Sequence, residues 1–302
     1  MFQILHKTKI DFMGKKNISF TVSALLILLG LLAFVQIGRG KANLGIDFVG
    51  GTTVQLSFKD RLPIDEARAT LEKNGVLGAT LQEFTDGNKI LIRLREHEGI
   101  ADKVVAMFKQ AFPNRPFEVD STTEIGPTIG KDLQVATFWA LLISIAAIIL
   151  YIAIRFEFKF GVAAAIATMH DVLAVLGIFY VLHKEINLLI ITALLTLAGY
   201  SLTDTVVVFD RIRENLRRGK REPLPVLVNS SINEVLSRTI ITSATVVIVL
   251  IPLVLFGGEV LHDFSLALLM GVVVGTYSSV FVASPILVAW QARTGGRLVG
   301  KR

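Results

Sequence analysis

The chain has 302 residues, of which 52% are hydrophobic, with a mean hydropathy of +0.61 and 8 prolines; this composition describes a polytopic membrane protein and excludes a soluble enzyme. A net charge of +6 and a pI near 9.5 would suit nucleic acid only with a basic, aromatic-studded folded domain, and the sequence offers none. The absence of cysteine excludes disulfides and thiol catalysis.

In chain order, residues 1–17 form a basic segment with Lys7, Lys9, Lys15 and Lys16. Residues 18–37 are the first of six apolar runs near the ~20 residues that span a bilayer. That run is too long for a signal peptide and lacks a small-residue cleavage site, so it is expected to stay as an uncleaved span. Residues 38–132 follow as an external segment large enough for a small domain. The string Gly45–Gly51 follows a span and runs into a strand. It therefore predicts a tight exit from the bilayer rather than a phosphate cradle, which would open a helix. Asp47 within it is suited to hold backbone N–H groups. Alternation predicts strands at Thr52–Phe58, Ala79–Phe84, Lys89–Arg95 and Phe117–Thr123, with a hairpin turn at Asp86-Gly87-Asn88. Helices are predicted at Pro63–Lys73 and Ile100–Phe112. The order is β-α-β-β-α-β, a ferredoxin-like split unit. Gly126-Pro127 marks the return to the membrane.

The remaining spans are predicted at 133–154, 160–182, 188–209, 240–256 and 264–290. A basic loop occupies 210–239, and the tail is 291–302. Within the loop, Pro223–Ser237 predicts an amphipathic helix lying in the membrane interface, as a surface anchor or a conveyor of motion. Lysine and arginine concentrate in the amino-terminal segment, the 155–159 turn, the 210–239 loop and the tail, so both termini are expected in the cytoplasm. In the last span, Gly271, Gly275 and Ser279 form a ridge suited to close helix contact.

Asp204 sits inside the apolar run 188–209, where a carboxylate costs a few kcal/mol unless protonated, paired or wetted, and so points to ion or proton handling. Ser201, Asp204, Thr205 and Val208 share one helical face. Arg238 reads either as a partner whose withdrawal would let Asp204 take a proton or as a snorkelling determinant of topology. Thr242 and Thr245 lie on its face and would extend a hydroxyl-lined route. Asp171, midway along the third span, is a second acid, either a proton carrier or a helix-packing acceptor for a neighbouring serine or threonine. His170 points about 100° away from it around the helix, so the two need not act together. His6, His97, His183 and His262 have no metal-ligand spacing, and no metal is expected.

Several strings together carry a resemblance: Gly45-Ile-Asp-Phe-Val-Gly-Gly51, Ile125-Gly-Pro127, Met169-His-Asp171, the run from Gly199 to Asn215, and Ser237-Arg-Thr-Ile-Ile-Thr-Ser243. In this order, and at these membrane positions, they resemble the SecF branch of the SecD/SecF family of protein-export subunits. The resemblance implies a polytopic α-helical membrane protein with six transmembrane helices, half of a resistance-nodulation-division (RND) type fold, plus a small α+β ferredoxin-like periplasmic domain. Gly45, Asp47, Gly50, Gly51, Gly126 and Pro127 fall in its motifs. It implies a bacterial inner-membrane location, pairing with SecD, and work beside the SecYEG channel, with YajC and YidC as further companions. Unfolded preprotein would be the periplasmic client. No enzyme activity and no cofactor are expected. The proton gradient is the implied energy source, and Asp204, Arg238, Asp171, Ser201, Thr205 and Thr242 are the candidate proton relay.

Two other functions compete. A half-transporter of small amphiphiles would share the fold, but drug exporters carry much larger external domains. An intramembrane aspartyl protease would need Asp171 and Asp204 to share a proton. The Tyr-Asp and Gly-x-Gly-Asp signatures of that chemistry are missing, since His170 precedes Asp171 and Ser-Leu-Thr precedes Asp204.

Overall fold

The computed structural model describes residues 8–84, 88–95, 99–155, 157–218 and 222–294. Helix α1 (Lys16–Gly38) leads to a one-turn α2 (Ile46–Val49), β1 (Gly51–Phe58), α3 (Ile64–Lys73), β2 (Thr80–Glu83), β3 (Lys89–Leu94), α4 (Ile100–Ala111) and β4 (Phe117–Ile125). Then come α5 (Pro127–Arg155), α6 (Phe158–Val181), α7 (Leu188–Arg217), α8 (Leu224–Phe256) and α9 (Gly258–Ser278). The last of these continues through a π-helical turn (Ser279–Ala283) into α10 (Ser284–Thr294). The chain divides into two compact units. One is Leu44–Trp139 with Glu185–Leu188; the other is Met1–Asn43, Ala140–Lys184 and Leu189–Arg302.

The smaller unit holds an antiparallel four-stranded sheet in the order β2-β3-β1-β4. Alternation builds its core: Val54, Leu56 and Phe58 of β1 and Ile90, Ile92 and Leu94 of β3 turn inward, against Leu71 of α3 and Val104 and Phe108 of α4. Ile100, Val104 and Phe108 recur at helical spacing, so α4 presents one apolar stripe. Phe58 meets Phe117 at 5.1 Å and Phe108 at 6.4 Å between ring centroids. β4 keeps most of its residues exposed, as expected for an edge strand. Asp86 and Gly87 of the expected hairpin turn lie outside the described residues, as do His6 and His97.

The larger unit is a bundle of helices, and among the described residues six helices are long and apolar enough to cross a membrane. The protein is a multi-pass membrane protein. α6, α7 and the α9–α10 pair are its interior members, whereas α5 and much of α1 and α8 turn leucine, isoleucine and phenylalanine outward. Lipid offers no hydrophobic drive for helix association, so small residues that let backbones approach set the contacts. α1 and α6 cross at glycines: a Cβ on Gly30 would lie 2.2 Å from the Leu173 carbonyl oxygen, and one on Gly177 2.6 Å from the Gly30 nitrogen. α9 approaches α7 in the same way, with Gly271 against Leu197 and Gly275 against Ser201. Ser279 of the expected ridge falls in the π-helical turn. That turn precedes Pro285, which has no N–H and crowds the carbonyl one turn back. The Ser284 hydroxyl bonds the Ser279 carbonyl at 3.0 Å.

The helix ends differ from the sequence expectation around 210–239. No glycine or proline interrupts residues 200–217, and α7 runs on to Arg217. The segment 223–237 is not a separate interfacial helix, because α8 is continuous from Leu224 through 240–256. Its apolar face is covered by protein: Leu227, Val228, Ile232 and Leu236 are buried with Phe12, Phe160, Phe209, Ile212 and Leu287. Its asparagines bind the amino-terminal segment. Asn229 Oδ1 accepts the Phe12 and Met13 N–H groups at 3.0 Å, and Asn233 pairs with both the N–H and the carbonyl of Ile10.

Candidate functional site

The centre of the bundle is polar. Asp171 on α6 is fully buried, and its carboxylate is held from three sides. His170 Nδ1 stands 2.8 Å from Oδ1. Oδ2 accepts the Ser278 hydroxyl of α9 at 2.7 Å and a short hydrogen bond from Ser201 of α7. A buried carboxylate needs several donors to offset lost hydration, and two neighbouring helices supply serines for it. Helical spacing sets the two residues about 100° apart around α6, yet the structure brings their side chains together. Both side chains lean into the same interior, and the imidazole bends back to its neighbour.

Asp204, three residues beyond Ser201 on α7, is 5% exposed and far less well held. Ser243 of α8 lies 3.4 Å from Oδ2. That serine also stands 2.6 Å from the Thr276 hydroxyl of α9, which donates to the Val272 carbonyl at 2.7 Å. Ser243 has one proton to give, so it bonds either Thr276 or Asp204. Among the described residues, Asp204 is thus a buried acid with a single hydrogen-bond contact, long and contested.

The face expected to carry the route outward from Asp204 is turned elsewhere. Arg238 and Thr242 are exposed; the Thr242 hydroxyl bonds the Arg238 carbonyl at 2.8 Å, and Thr245 bonds the Thr242 carbonyl at 2.7 Å. No ion pair joins Arg238 to Asp204 among the described residues, and its charge reaches the acid only through space. Thr239 and Ser243, one position further around α8 from Arg238 and Thr242, are the buried ones. Thr205 is fully buried, and its hydroxyl has no hydrogen-bond partner among the described residues. Ser201 joins Asp171 rather than Asp204. Ser243, which enters from sequence only within a family string, and Thr276, Tyr277 and Ser278, consecutive in Thr276-Tyr-Ser-Ser279, have no role assigned from sequence, because a helical hydroxyl can bond its own helix's carbonyl three or four residues back and so names no partner. No group of His, Cys, Asp and Glu among the described residues could hold a metal ion.

A second constellation lies in the smaller unit. Gly50 and Gly51 have φ of +76° and +136°, and a Cβ on Gly51 would stand 2.3 Å from the Leu94 carbonyl oxygen. Gly45 donates its N–H to the Ile186 carbonyl at 2.9 Å and has no room for a Cβ beside Glu185 and Asn187. Asp47 Oδ2 accepts the Leu188 N–H at 2.9 Å, satisfying a donor at the first residue of α7. Arg93 of β3 pairs with Glu185 at 2.6 Å. Gly126 and Pro127 mark the junction of β4 and α5. The Gly130 N–H bonds the Gly126 carbonyl at 3.0 Å, and proline stands where α5 needs no donor.

The glycine motif and the acid-bearing helices both match known families. The family described as "Protein export membrane protein SecD/SecF, C-terminal" matches residues 103–293, and that described as "SecD/SecF GG Motif" matches residues 41–60. The chain belongs to the SecD/SecF family. Among similar members is a protein translocase subunit SecF from Thermodesulfovibrio yellowstonii, 53% identical over 291 residues, which cover 95% of this chain and 97% of that protein. Another, from Endomicrobium trichonymphae, is 38% identical over 294 residues, covering 96% and 94%. The fold is similar to the crystal structure of SecDF, a translocon-associated membrane protein from Thermus thermophilus, with a TM-score of 0.84 and 35% identity. SecDF in its Super-membrane-facing form gives a TM-score of 0.70 at 36% identity. Each comparison covers 97% of this chain and 40% of the SecDF chain. The chain therefore spans nearly the whole of its SecF relatives and less than half of SecDF.

Proposed function

We propose that this chain is an accessory subunit of the Sec translocase that pairs with SecD and uses the proton-motive force to promote preprotein translocation across the inner membrane. Both termini then lie in the cytoplasm and the sheet-bearing unit in the periplasm. The β-α-β-β-α-β order with strands arranged β2-β3-β1-β4 supports a ferredoxin-like description of that unit. SecYEG is the channel it serves, with YajC and YidC as companions and unfolded preprotein as the client. The subunit needs no catalytic activity of its own and no cofactor. Membership of the SecD/SecF family supports the translocase assignment, and the part of SecDF that this chain leaves unmatched supports SecD as partner.

The observation that carries the energetic reading is Asp204. An acid buried on a membrane-spanning helix, with one contested hydroxyl contact and a cation nearby but unbonded, is arranged to change partners as a proton comes and goes. The test is completion of preprotein export in membrane vesicles with the ATP-driven steps stopped. An imposed pH gradient should drive export in vesicles carrying the wild-type subunit and fail to do so with Asp204→Asn, at equal amounts of assembled complex. An equal response from both would reduce Asp204 to a packing residue and refute the reading.

A further inference from the structure

Asp204 leaves a second buried ionisable pair unused. His170 is 1% exposed and Asp171 fully buried, and Nδ1 of the imidazole faces Asp171 Oδ1 at 2.8 Å. The other ring nitrogen, Nε2, is buried and has no hydrogen-bond partner among the described residues. An unpaired polar atom at such a depth is costly, and a site of this kind calls for a water. The ring facing His170 is Tyr277 of α9, with centroids 6.3 Å apart. Its hydroxyl donates to the Ser19 carbonyl of α1 at 2.9 Å and lies 3.2 Å from Ser23 Oγ. Ser19 is in the first turn of α1, beside Lys15 and Lys16, at the basic end of the bundle. Polar groups thus recur from that end toward Asp171: Tyr277 is joined to Ser19 and Ser23 by hydrogen bonds, and it meets His170 through a ring contact.

We propose that His170 and Asp171 form a proton-relaying pair, fed through a water at His170 Nε2 that connects them with Tyr277 and the Ser19–Ser23 edge of α1. The proposal rests on the proton-coupled reading above and adds a second branch to it. The step conserves protons and charge. As a proton enters the water from the Ser19–Ser23 end, the water gives one to Nε2 and stays neutral, the Nδ1 proton passes to Asp171 Oδ1, and the imidazole returns to neutrality with its proton on Nε2. Asp171 is left as the neutral acid, its Oδ2 still facing two serine hydroxyls. Histidine suits this task because its two nitrogens can accept on one side and donate on the other. The titratable groups around it are Asp171 on its own helix and Tyr277 from α9. α1 has no ionisable residue between Lys16 and Arg39, and α7 presents Ser201.

The experiment compares variants of the complex with its SecD partner, reconstituted in proteoliposomes, by proton flux into a pH-sensitive dye. His170→Asn keeps a donor for Asp171 in the place of Nδ1 but cannot take and give a proton. Its flux should fall by about 100-fold, the low end of what a positioned proton-transfer group contributes, with assembly unchanged. Tyr277→Phe keeps the ring contact with Phe281 at 5.3 Å and removes the hydroxyl, and should lower flux several-fold. Wild-type flux in His170→Asn would overturn the proposal. If His170→Asn does not assemble, wild-type flux in Tyr277→Phe overturns it instead. The export assay with Asp204→Asn separates the two readings. Loss there beside full flux in His170→Asn removes the His170 branch alone. Export retained in Asp204→Asn beside lost flux in His170→Asn refutes Asp204 and leaves His170–Asp171 as the relay.

Discussion

Gly30→Ala tests the crossing of α1 and α6 directly. A Cβ at this position would stand 2.2 Å from the carbonyl oxygen of Leu173 and 2.7 Å from its carbonyl carbon, where ordinary contact begins at 3.4 Å. Both obstructing atoms are backbone of α6, so no side-chain rotation relieves the overlap. α1 must retreat by the 1.2 Å that separates 2.2 from 3.4 Å. A gap of about 0.5–1 Å already forfeits a quarter to a half of the dispersion energy of the atoms it separates, and overpacking strain costs about 1–3 kcal/mol. The higher end applies, because rigid elements must shift. Alanine returns about 1 kcal/mol of helix propensity, leaving a net loss of about 2 kcal/mol. The assay is reversible unfolding in mixed micelles, with Gly199→Ala as control. A Cβ at Gly199 meets nothing within 4 Å, so the same chemical change there should leave stability equal or higher. Stability of Gly30→Ala equal to wild type, or an equal loss in the control, would refute the close-crossing account.

Two further outcomes are expected. Arg93→Ala should destabilise the sheet-bearing unit by about 3 kcal/mol, because it leaves the largely buried Glu185 without the guanidinium 2.6 Å away. Thermal unfolding reads this, and an Arg93→Met, Glu185→Leu double variant that stays as unstable as the single would contradict it. At the amino terminus, the Gly14 N–H and then the Asn229 amide hold the Asp11 carboxyl below its ordinary pKa of 3.8. A depressed acid stabilises its contacts above the unfolded pKa and loses that contribution as pH falls through the folded value. Protection of the Gly14 amide from hydrogen exchange, corrected for intrinsic rate, should therefore fall below about pH 4 in wild type. Asp11→Asn should show no such fall, and a wild-type-like drop in that variant would disprove the assignment.

The sheet-bearing unit was legible because its signals are local. A period of two in β1 and β3 and the stripe of Ile100, Val104 and Phe108 each name a buried side without knowledge of the partner. The bundle was legible in its number of spans and in the inward face of α7, where Ser201, Asp204, Thr205 and Val208 are all buried, but not in the inward face of α8. Arg238 and Thr242 do share a side of α8, as their spacing predicts, yet the inward side is the next one around, with Thr239 and Ser243. Nothing in a continuously apolar helix marks which side meets protein. The segment 223–237 shows the same gap. Its amphipathic pattern is real, but a pattern states that one face is covered and leaves open whether lipid or Phe12, Ile212 and Leu287 cover it. The sequence separated His170 from Asp171 because Cα geometry alone sets their directions 100° apart. Two rotatable side-chain bonds were enough to close that angle.

The two acids differ in a way that bears on which of them moves. Asp171 is gripped by a histidine and by serines from two other helices, which together fix the position of its carboxyl group. Asp204 has Ser243, which Thr276 also claims. On the proton-coupled reading proposed above, a proton arriving at Asp204 would give the acid a donor of its own and release Ser243 to Thr276, and its departure would set the carboxylate competing for that same hydroxyl. The exchange alters a contact between α7 and α8 in one state and between α8 and α9 in the other. On that reading a carboxylate with one long, shared donor can change helix packing on titration, whereas one held by three close partners is better suited to hold the bundle together.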